Sequence, residues 1–329
     1  MVTIKEVAKH ANVSVSTVSK VMKDYKNISV DTRKRVRKAI EELDYSPNTA
    51  ASALSSKEGG RVAILMDLTA QSQVIDEISM RYLHGAIRSG KAIGLDIITV
   101  FFSMIEDKSL REIERYFKLQ QISGIIIYGL NKEHKTLHKL IESKRFKVVV
   151  VDAPFVNDNT SSVQIDNKNA QIDVARKTIS YQGSKKILYI KGRENSYSSD
   201  ERLQGINELC NELDVSCTVV DGKFSELEAR QITFDNAQDF EVIVCASDLM
   251  AIGAMKALIE MDIFRRVCGF DGIKLMGYIG KGMDTVRQDF YSIAEHSVNE
   301  IDRLLKGEGG RAVVVPHMLE RLDYIDVIK

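Results

Sequence analysis

The stretch TIKEVAKHANVSVSTVSKVM, residues 3–22, decides how the front of this chain folds. Thr3-Ile4-Lys5-Glu6 has the form of a capping box, in which the threonine hydroxyl caps the third backbone N–H and Glu6 reaches back. Ile4, Val7, Ala8 and Ala11 follow at i, i+3, i+4 and i+7, the single apolar face of a helix. Ala11-Asn12-Val13 has room only for a turn. Ser14 caps a second helix over 13–23, whose inward stripe is Val18, Val21 and Met22, while Val15, Ser16, Ser19 and Lys20 face out. The polar stretch 24–27 breaks the pattern. Ser29 then caps a third helix through Leu43, with Val36, Ala39, Ile40 and Leu43 inward and Arg33, Lys34, Arg37 and Lys38 largely outward. Two short helices joined by a tight turn and braced by a third make a helix-turn-helix unit, its second helix slim enough for a major groove about 12 Å wide. A protein-interaction module with a solvated basic face fits the same pattern. The small hydroxyls of Ser14, Ser16, Thr17 and Ser19 beside Lys20 favour DNA, because they can bond phosphates or base edges without bulk.

Charge supports the same division. The whole chain balances 46 Lys and Arg against 46 Asp and Glu. Its first 57 residues hold eleven cations against six anions, a surplus of five that the rest of the chain cancels. Pro47 pushes Ser46 out of the helical region and ends the third helix. Asn48 can cap a short segment over 49–54 before the polar linker 55–60. Two turns of helix are not stable alone, so this segment is either a plain linker or a helix ordered by a partner.

At 329 residues the chain has room for about two or three domains. With 44% hydrophobic and 28% charged residues, bulk disorder and fibrous repeats are excluded. Cys210, Cys217, Cys245 and Cys268 show no CxxC spacing and read as reduced thiols of a cytoplasmic protein. No apolar signal region follows Met1 and no 18 apolar residues run together, so neither secretion nor a membrane partner is expected.

From Arg61 onward, apolar runs alternate with helical periodicity: 61–67, 95–102, 124–129, 146–153, 186–192, 217–222, 241–247 and 266–272. Continuous Val and Ile runs indicate strands covered on both faces, hence parallel sheets. Their number exceeds one doubly wound sheet, so two similar halves are expected, roughly 61–157 and 158–287, with the C-terminal segments returning to both. Ligands of such folds bind beyond the carboxyl ends of the strands, here between the halves. Those ends carry Asp67, Asp152, Asp166, Ser247-Asp248 and Asp271, with Arg193 and Arg202 after a fifth strand. Carboxylates, hydroxyls and Arg around an apolar cleft suit a polyhydroxylated ligand. For Asp248, at a helix start, a plain N-cap is the favoured reading. His134 and His138 read as a solvated helix face. Gly280-Lys281-Gly282 is no phosphate loop and no GxSxG elbow occurs, so neither an enzyme nor a cofactor or metal site is expected.

In order and kind these pieces resemble the lactose-repressor (LacI/GalR) family of bacterial transcription regulators over essentially the whole chain. The likeness rests on residues 3–22 and on VDTRKRVRKAIEELDYSPN, VCASDLMAIGAMKAL, GFDG, TVRQDF and RLQG further on. It implies an α/β protein with an N-terminal all-α helix-turn-helix domain over 1–47 and a hinge helix and linker over 48–60. A periplasmic-binding-protein-like effector domain of two doubly wound parallel-sheet subdomains follows over 61–329. Its N-subdomain covers about 61–157 plus 288–315 and its C-subdomain about 158–287 plus 316–329.

The implied function is that of a repressor, acting as a homodimer on a palindromic double-stranded DNA operator under the control of a small carbohydrate effector. The resemblance sets Val15, Ser16 and Lys20 against base edges and Ser14, Thr17 and Asn27 against phosphates. Thr3, Ser19, Asn48, Ala51 and Ser52 also face DNA, and Leu54 wedges a base step of the minor groove. In the cleft it matches Asp152, Ser198, Arg202, Phe224, Ser247 and Asp271, with Gln288 and Phe290 at the crossover. Arg202 and Asp271 are the expected pair of anchors. Lys20 stands where the family commonly has Arg and lacks its planar fork. Ser247, Ala153 and Gly272 also depart from the usual residues, and the loop 69–73 lacks an aromatic. A cytoplasmic sugar sensor without DNA function, or an enzyme using the cleft, remain as alternatives.

Overall fold

Seven small aliphatic side chains hold the front of the molecule together. Val7, Ala8, Ala11, Val18, Val21, Val36 and Ala39 are buried between α1 (Ile4–His10), α2 (Val15–Met22) and α3 (Val30–Glu42). Both halves of the Thr3/Glu6 capping box form, and Ser29 caps α3 by accepting the Thr32 N–H. Helix α2 begins at Val15, two residues later than the periodicity suggests. Asn12 takes a left-handed conformation (φ +52°) and Val13 donates to the Ala8 carbonyl, so both residues belong to the close of α1.

The computed structural model describes residues 2–22, 25, 28–43, 45, 60–67, 75–180 and 185–324. The chain divides into two compact units, 1–59 and 60–329. The second contains strands β1 (Arg61–Met66), β2 (Asp96–Phe101), β3 (Ile122–Ile127), β4 (Lys147–Val151), β5 (Thr160–Ile165) and β6 (Lys186–Lys191). These continue into β7 (Ser216–Asp221), β8 (Val242–Cys245), β9 (Arg266–Cys268), β10 (Met283–Arg287), β11 (Ala312–Val315) and β12 (Met318–Leu322). Between them run α4 (Ile75–Ile93), α5 (Leu110–Leu119), α6 (Lys135–Glu142), α7 (Asn167–Ser180), α8 (Tyr197–Leu213), α9 (Glu226–Asn236), α10 (Asp248–Glu260) and α11 (Phe290–Leu305).

The described strands form two sheets, ordered β11-β5-β4-β3-β1-β2 and β12-β10-β9-β8-β6-β7. All pairings are parallel except β10 with β12. Both sheets are covered on two faces, as the unbroken apolar runs require. In β1, Val62, Ile64 and Met66 enter one buried cluster while Ala63 and Leu65 enter another, the period-two alternation of a strand. In each sheet the strand order reverses beside the strand that starts it, between β1 and β3 and between β6 and β8, which is where such folds bind ligands.

The structure moves the boundary between the halves. Strand β5 belongs to the first sheet, so the first half runs on to Ile165 instead of ending at about 157. Its sequence, TSSVQI, hides a buried strand behind two serine hydroxyls that are bonded: Ser161 Oγ donates to Glu300 Oε2 at 3.1 Å and Ser162 Oγ to the Ala153 carbonyl at 2.8 Å. The chain crosses between the lobes after β5, after β10 and after β11. The two histidines also differ from expectation. His134 lies edge-on to Phe102 and His138 edge-on to Phe155, both partly buried, because α6 packs this face against neighbouring rings. Among the described residues no helix is long and apolar enough to cross a membrane.

Candidate functional site

Asp152 follows β4, Phe224 follows β7 and Asp271 follows β9, each just past the carboxyl end of its strand. All three adopt positive φ, of +56°, +56° and +130°. Such backbones are uncommon outside glycine and cost of order 1–3 kcal/mol each, persisting only where surroundings fix them. Here the surroundings do so. Asp152 N–H donates to the Val163 carbonyl at 3.1 Å and Asp271 N–H to that of Val286 at 2.8 Å, while Asp271 C=O accepts the Gln288 N–H at 3.2 Å. Gly192, at the end of β6, makes room for the Phe224 ring: a Cβ there would come within 2.2 Å of it.

Arg202 on α8 is the centre of the cleft and only 4% exposed. Its Nε donates to Asn167 Oδ1 at 3.0 Å and Nη1 to the Ala246 carbonyl at 2.7 Å. The same guanidinium lies 3.9 Å from Asp271 Oδ1 and stacks over the Phe270 ring at 3.5 Å. Gln288 Nε2 donates to Asp271 Oδ1 at 2.9 Å, and Asn167 Nδ2 to Glu201 Oε2 at 3.2 Å. Arg202, Asp271 and Gln288 are thus brought together. Burial raises the Asp271 carboxyl to about 6 against the opposing pull of Arg202 and Gln288, and it raises Asp152 and Glu201 as well. Four polar atoms here are buried without a protein partner: Asp152 Oδ1, Gln288 Oε1, Ser199 Oγ and the Tyr128 hydroxyl. Native interiors pair the great majority of such atoms, so these leave hydrogen-bonding capacity open in the cleft.

Two predicted residues are already engaged at helix starts. Ser247 is the N-cap of α10, accepting the Met250 N–H at 3.3 Å. Ser198 bonds Ser196 Oγ at 3.0 Å, at the start of α8. The reading of Asp248 as a plain N-cap is corrected: its fully buried carboxylate accepts from Gly272 N at 2.8 Å, Ile273 N at 2.9 Å and Thr285 Oγ1 at 2.6 Å. It thereby fixes the turn that carries Asp271, and burial together with the Asp271 charge raises it to about 8. Asp166 bonds the Asn169 N–H at 3.0 Å as a helix-start acceptor, while its neighbour Asn167 enters the cleft.

Four cleft residues escaped the sequence reading: Asn167, Glu201, Tyr82 and Tyr128. Tyr82 on α4 stacks on Tyr128 (4.4 Å between centroids) and meets Phe290 edge-on at 5.2 Å, forming an aromatic wall beside Asp152. The only available signal was position, since Tyr128 directly follows β3 and Asn167 begins the helix after β5. The rim of the cleft is tied across the lobes by Lys132 with Asp200, by Asn195 Nδ2 donating to Glu133 at 2.5 Å and by Lys274 N–H donating to Glu77 at 3.3 Å.

In the helical unit α2 presents Val15 (41% exposed), Ser16 and Lys20 to solvent, with Thr17 and Ser19 partly covered. Ser14 Oγ lies 2.8 Å from both Ser16 Oγ and Thr17 Oγ1 and accepts the Thr17 N–H, a hydroxyl cluster at the helix start. The Thr3 hydroxyl is engaged with Glu6 in the capping box. Asn27, Asn48, Ala51, Ser52 and Leu54 lie outside the described residues.

Residues 3–48 match the family described as bacterial regulatory proteins, lacI family, and residues 119–314 a periplasmic binding protein domain. The ribose operon repressor of Halalkalibacterium halodurans is 28% identical over 305 residues, covering 89% of this chain and 87% of its own. Catabolite control protein A of Staphylococcus aureus is 27% identical over 341 residues, covering 97% and 98%. Among solved structures, the lac repressor dimer bound to operator and the anti-inducer ONPF matches with a TM-score of 0.81 at 22% identity, covering 98% of this chain and 99% of that one. The complex of the transcriptional regulator CelR with cellobiose matches at 0.71 and 22%, covering 98% and 100%. At that identity the structural likeness establishes the fold.

Proposed function

Because the chain belongs to the LacI family of bacterial regulatory proteins, we propose that it represses transcription as a cytoplasmic homodimer bound to a palindromic operator. A small polar ligand, a sugar or sugar derivative, controls it from the cleft. The observation that carries this reading is the combination of an exposed hydroxyl-and-lysine face on α2 with a cleft of strained, buried hydrogen-bonding residues. Relatives named as a ribose operon repressor and a cellobiose-bound regulator support both the DNA and the carbohydrate part.

On DNA, Val15, Ser16 and Lys20 would meet base edges, and Ser14, Thr17 and Asn27 phosphates. Ser19 and Thr3 would flank them. Asn48, Ala51, Ser52 and Leu54 would form the hinge contact in the minor groove. In the cleft, Arg202, Asp271, Asp152 and Gln288 would hold ligand hydroxyls, with Phe224 covering an apolar sugar face. Ser247 and Ser198 would contribute only through hydroxyls that already serve a helix start. Met80 and Ile87, exposed seven residues apart on α4, support a partner subunit on that face. Ligand binding would shift the lobes about the three crossing segments and so change operator affinity, by about 5–150-fold for an ordinary allosteric coupling.

Selection of duplexes from a random pool by the full chain tests the core of this reading, followed by anisotropy titrations with and without sugars. A palindromic sequence should enrich, and affinity for it should fall steeply with salt. A pool that enriches nothing, with a flat salt response, would leave a sugar sensor without DNA function.

A further inference from the structure

We propose that the ligand of this cleft carries a protonated amino group among its hydroxyls, as an amino sugar does. This rests on the carbohydrate reading above and goes a step beyond it. The acids and bases that face the cleft do not balance. Asp152, Asp271 and Glu201 gather around one cation, Arg202, with Asn167 bonded to both Arg202 and Glu201. That cation is already engaged by Asn167, the Ala246 carbonyl and Asp271. The cations of the rim have partners too. Lys132 pairs with Asp200, Arg81 with Glu77, Lys191 with Glu194 at 3.3 Å and Lys223 with Glu228 at 3.5 Å.

Of the cleft atoms left without a partner, the Ser199 and Tyr128 hydroxyls can donate or accept, but the other two have one sense. Asp152 Oδ1 and Gln288 Oε1 both accept hydrogen bonds and cannot donate one, and Gln288 is only 4% exposed. A ligand that completes this cleft therefore brings donors. A phosphate ester brings acceptors and two more negative charges beside three carboxylates. A neutral hydroxyl satisfies Asp152 Oδ1 but leaves the acidic surplus in place. An ammonium group supplies the donors and the charge together, and a hydrogen bond between charged partners is about twice as strong as a neutral one.

Calorimetric titration of the full chain against matched sets tests this: glucose, glucosamine and glucose 6-phosphate, with the corresponding galactose, mannose and ribose series. In the series whose stereochemistry fits, the amine should bind about tenfold tighter than its neutral parent, and the phosphate ester should give no measurable heat. Asp152→Asn should bring the ratio of amine to neutral affinity close to one, a ratio that general weakening of the cleft would not move. Asparagine tolerates the left-handed backbone at this position, so the variant keeps the local fold. An ester that binds as well as its parent, or a neutral sugar that binds as tightly as its amine, overturns the amine assignment and leaves the carbohydrate reading standing. Absence of heat from every series overturns both.

Discussion

The outer face of α2 and the inter-lobe cleft use the same kinds of side chain under opposite conditions. On α2, eight consecutive residues in ordinary helical geometry hold Val15, Ser16 and Lys20 out to solvent. In the cleft, residues from Asp152 to Gln288 are gathered from distant strand ends, and Arg202, Asp271 and Gln288 are 4%, 8% and 4% exposed. One surface keeps donors hydrated until a partner arrives. The other holds its groups in place beforehand, with backbone strain at Asp152 and Asp271 maintained by the surrounding bonds. Preorganisation of that kind favours a small ligand, because little freedom is left to lose on binding. Removing a cleft residue should therefore disturb folding, whereas removing one from α2 should disturb only binding.

The largest expected effect is at Arg202. Arg202→Ala leaves Asp271 and Asn167 without their buried partner and should lower the unfolding free energy of the two-lobed unit by about 3–5 kcal/mol in denaturant titrations. A loss below about 1 kcal/mol would show the cleft groups to be independent of one another, and the contrast with α2 would fail. Next comes pH. Burial lifts the Asp271 carboxyl from 3.8 to about 6, so the folded state holds its proton more tightly than the unfolded chain. The stabilisation from that proton is complete below the unfolded value and is lost as pH rises through about 6. Relative to Asp271→Asn, the wild type should lose up to about 3 kcal/mol over that window. A stability difference that stays flat with pH would sink this account. Smallest in stability is Lys20→Ala, expected to shift unfolding by no more than about 0.5 kcal/mol. The same change should weaken operator binding. Should Lys20 touch only phosphate, affinity would fall equally for all sequences and the salt slope by about one unit.

The same contrast explains what could be read from the sequence. The helical unit depends on contacts a few residues apart, such as Thr3 with Glu6 and the stripe of Val18 and Val21, so it was visible in order and nearly in bounds. Strands such as β4, KVVVV, were visible because burial on both faces leaves no polar position. Strand β5 was missed because its serines are satisfied by Glu300 and by the Ala153 carbonyl, and the Glu300 partner comes from far along the chain. The cleft was legible only where a residue directly follows a strand, as does Asp152, or is matched through the family resemblance, as are Phe224, Arg202 and Asp271. Tyr82, Asn167 and Glu201 lie on helices whose facing side is set by tertiary packing. Asp248 was misjudged for the same reason, since the Gly272 and Ile273 amides it holds are 24 and 25 residues away.

The triple crossing of the chain also bears on how the protein is made. Strand β11 lies beside β5 and β12 beside β10, so the last described stretch of the chain covers an edge of each sheet. A nascent chain released from the ribosome only as far as α11 presents β5 and β10 as open edges, ready to pair with another copy. The helical unit has every described residue of its core by position 45 and can fold while the rest is still being translated. Both lobes must wait for residues 312–322, and a chain ended before them leaves the longer-range strands β5 and β10 as the exposed edges.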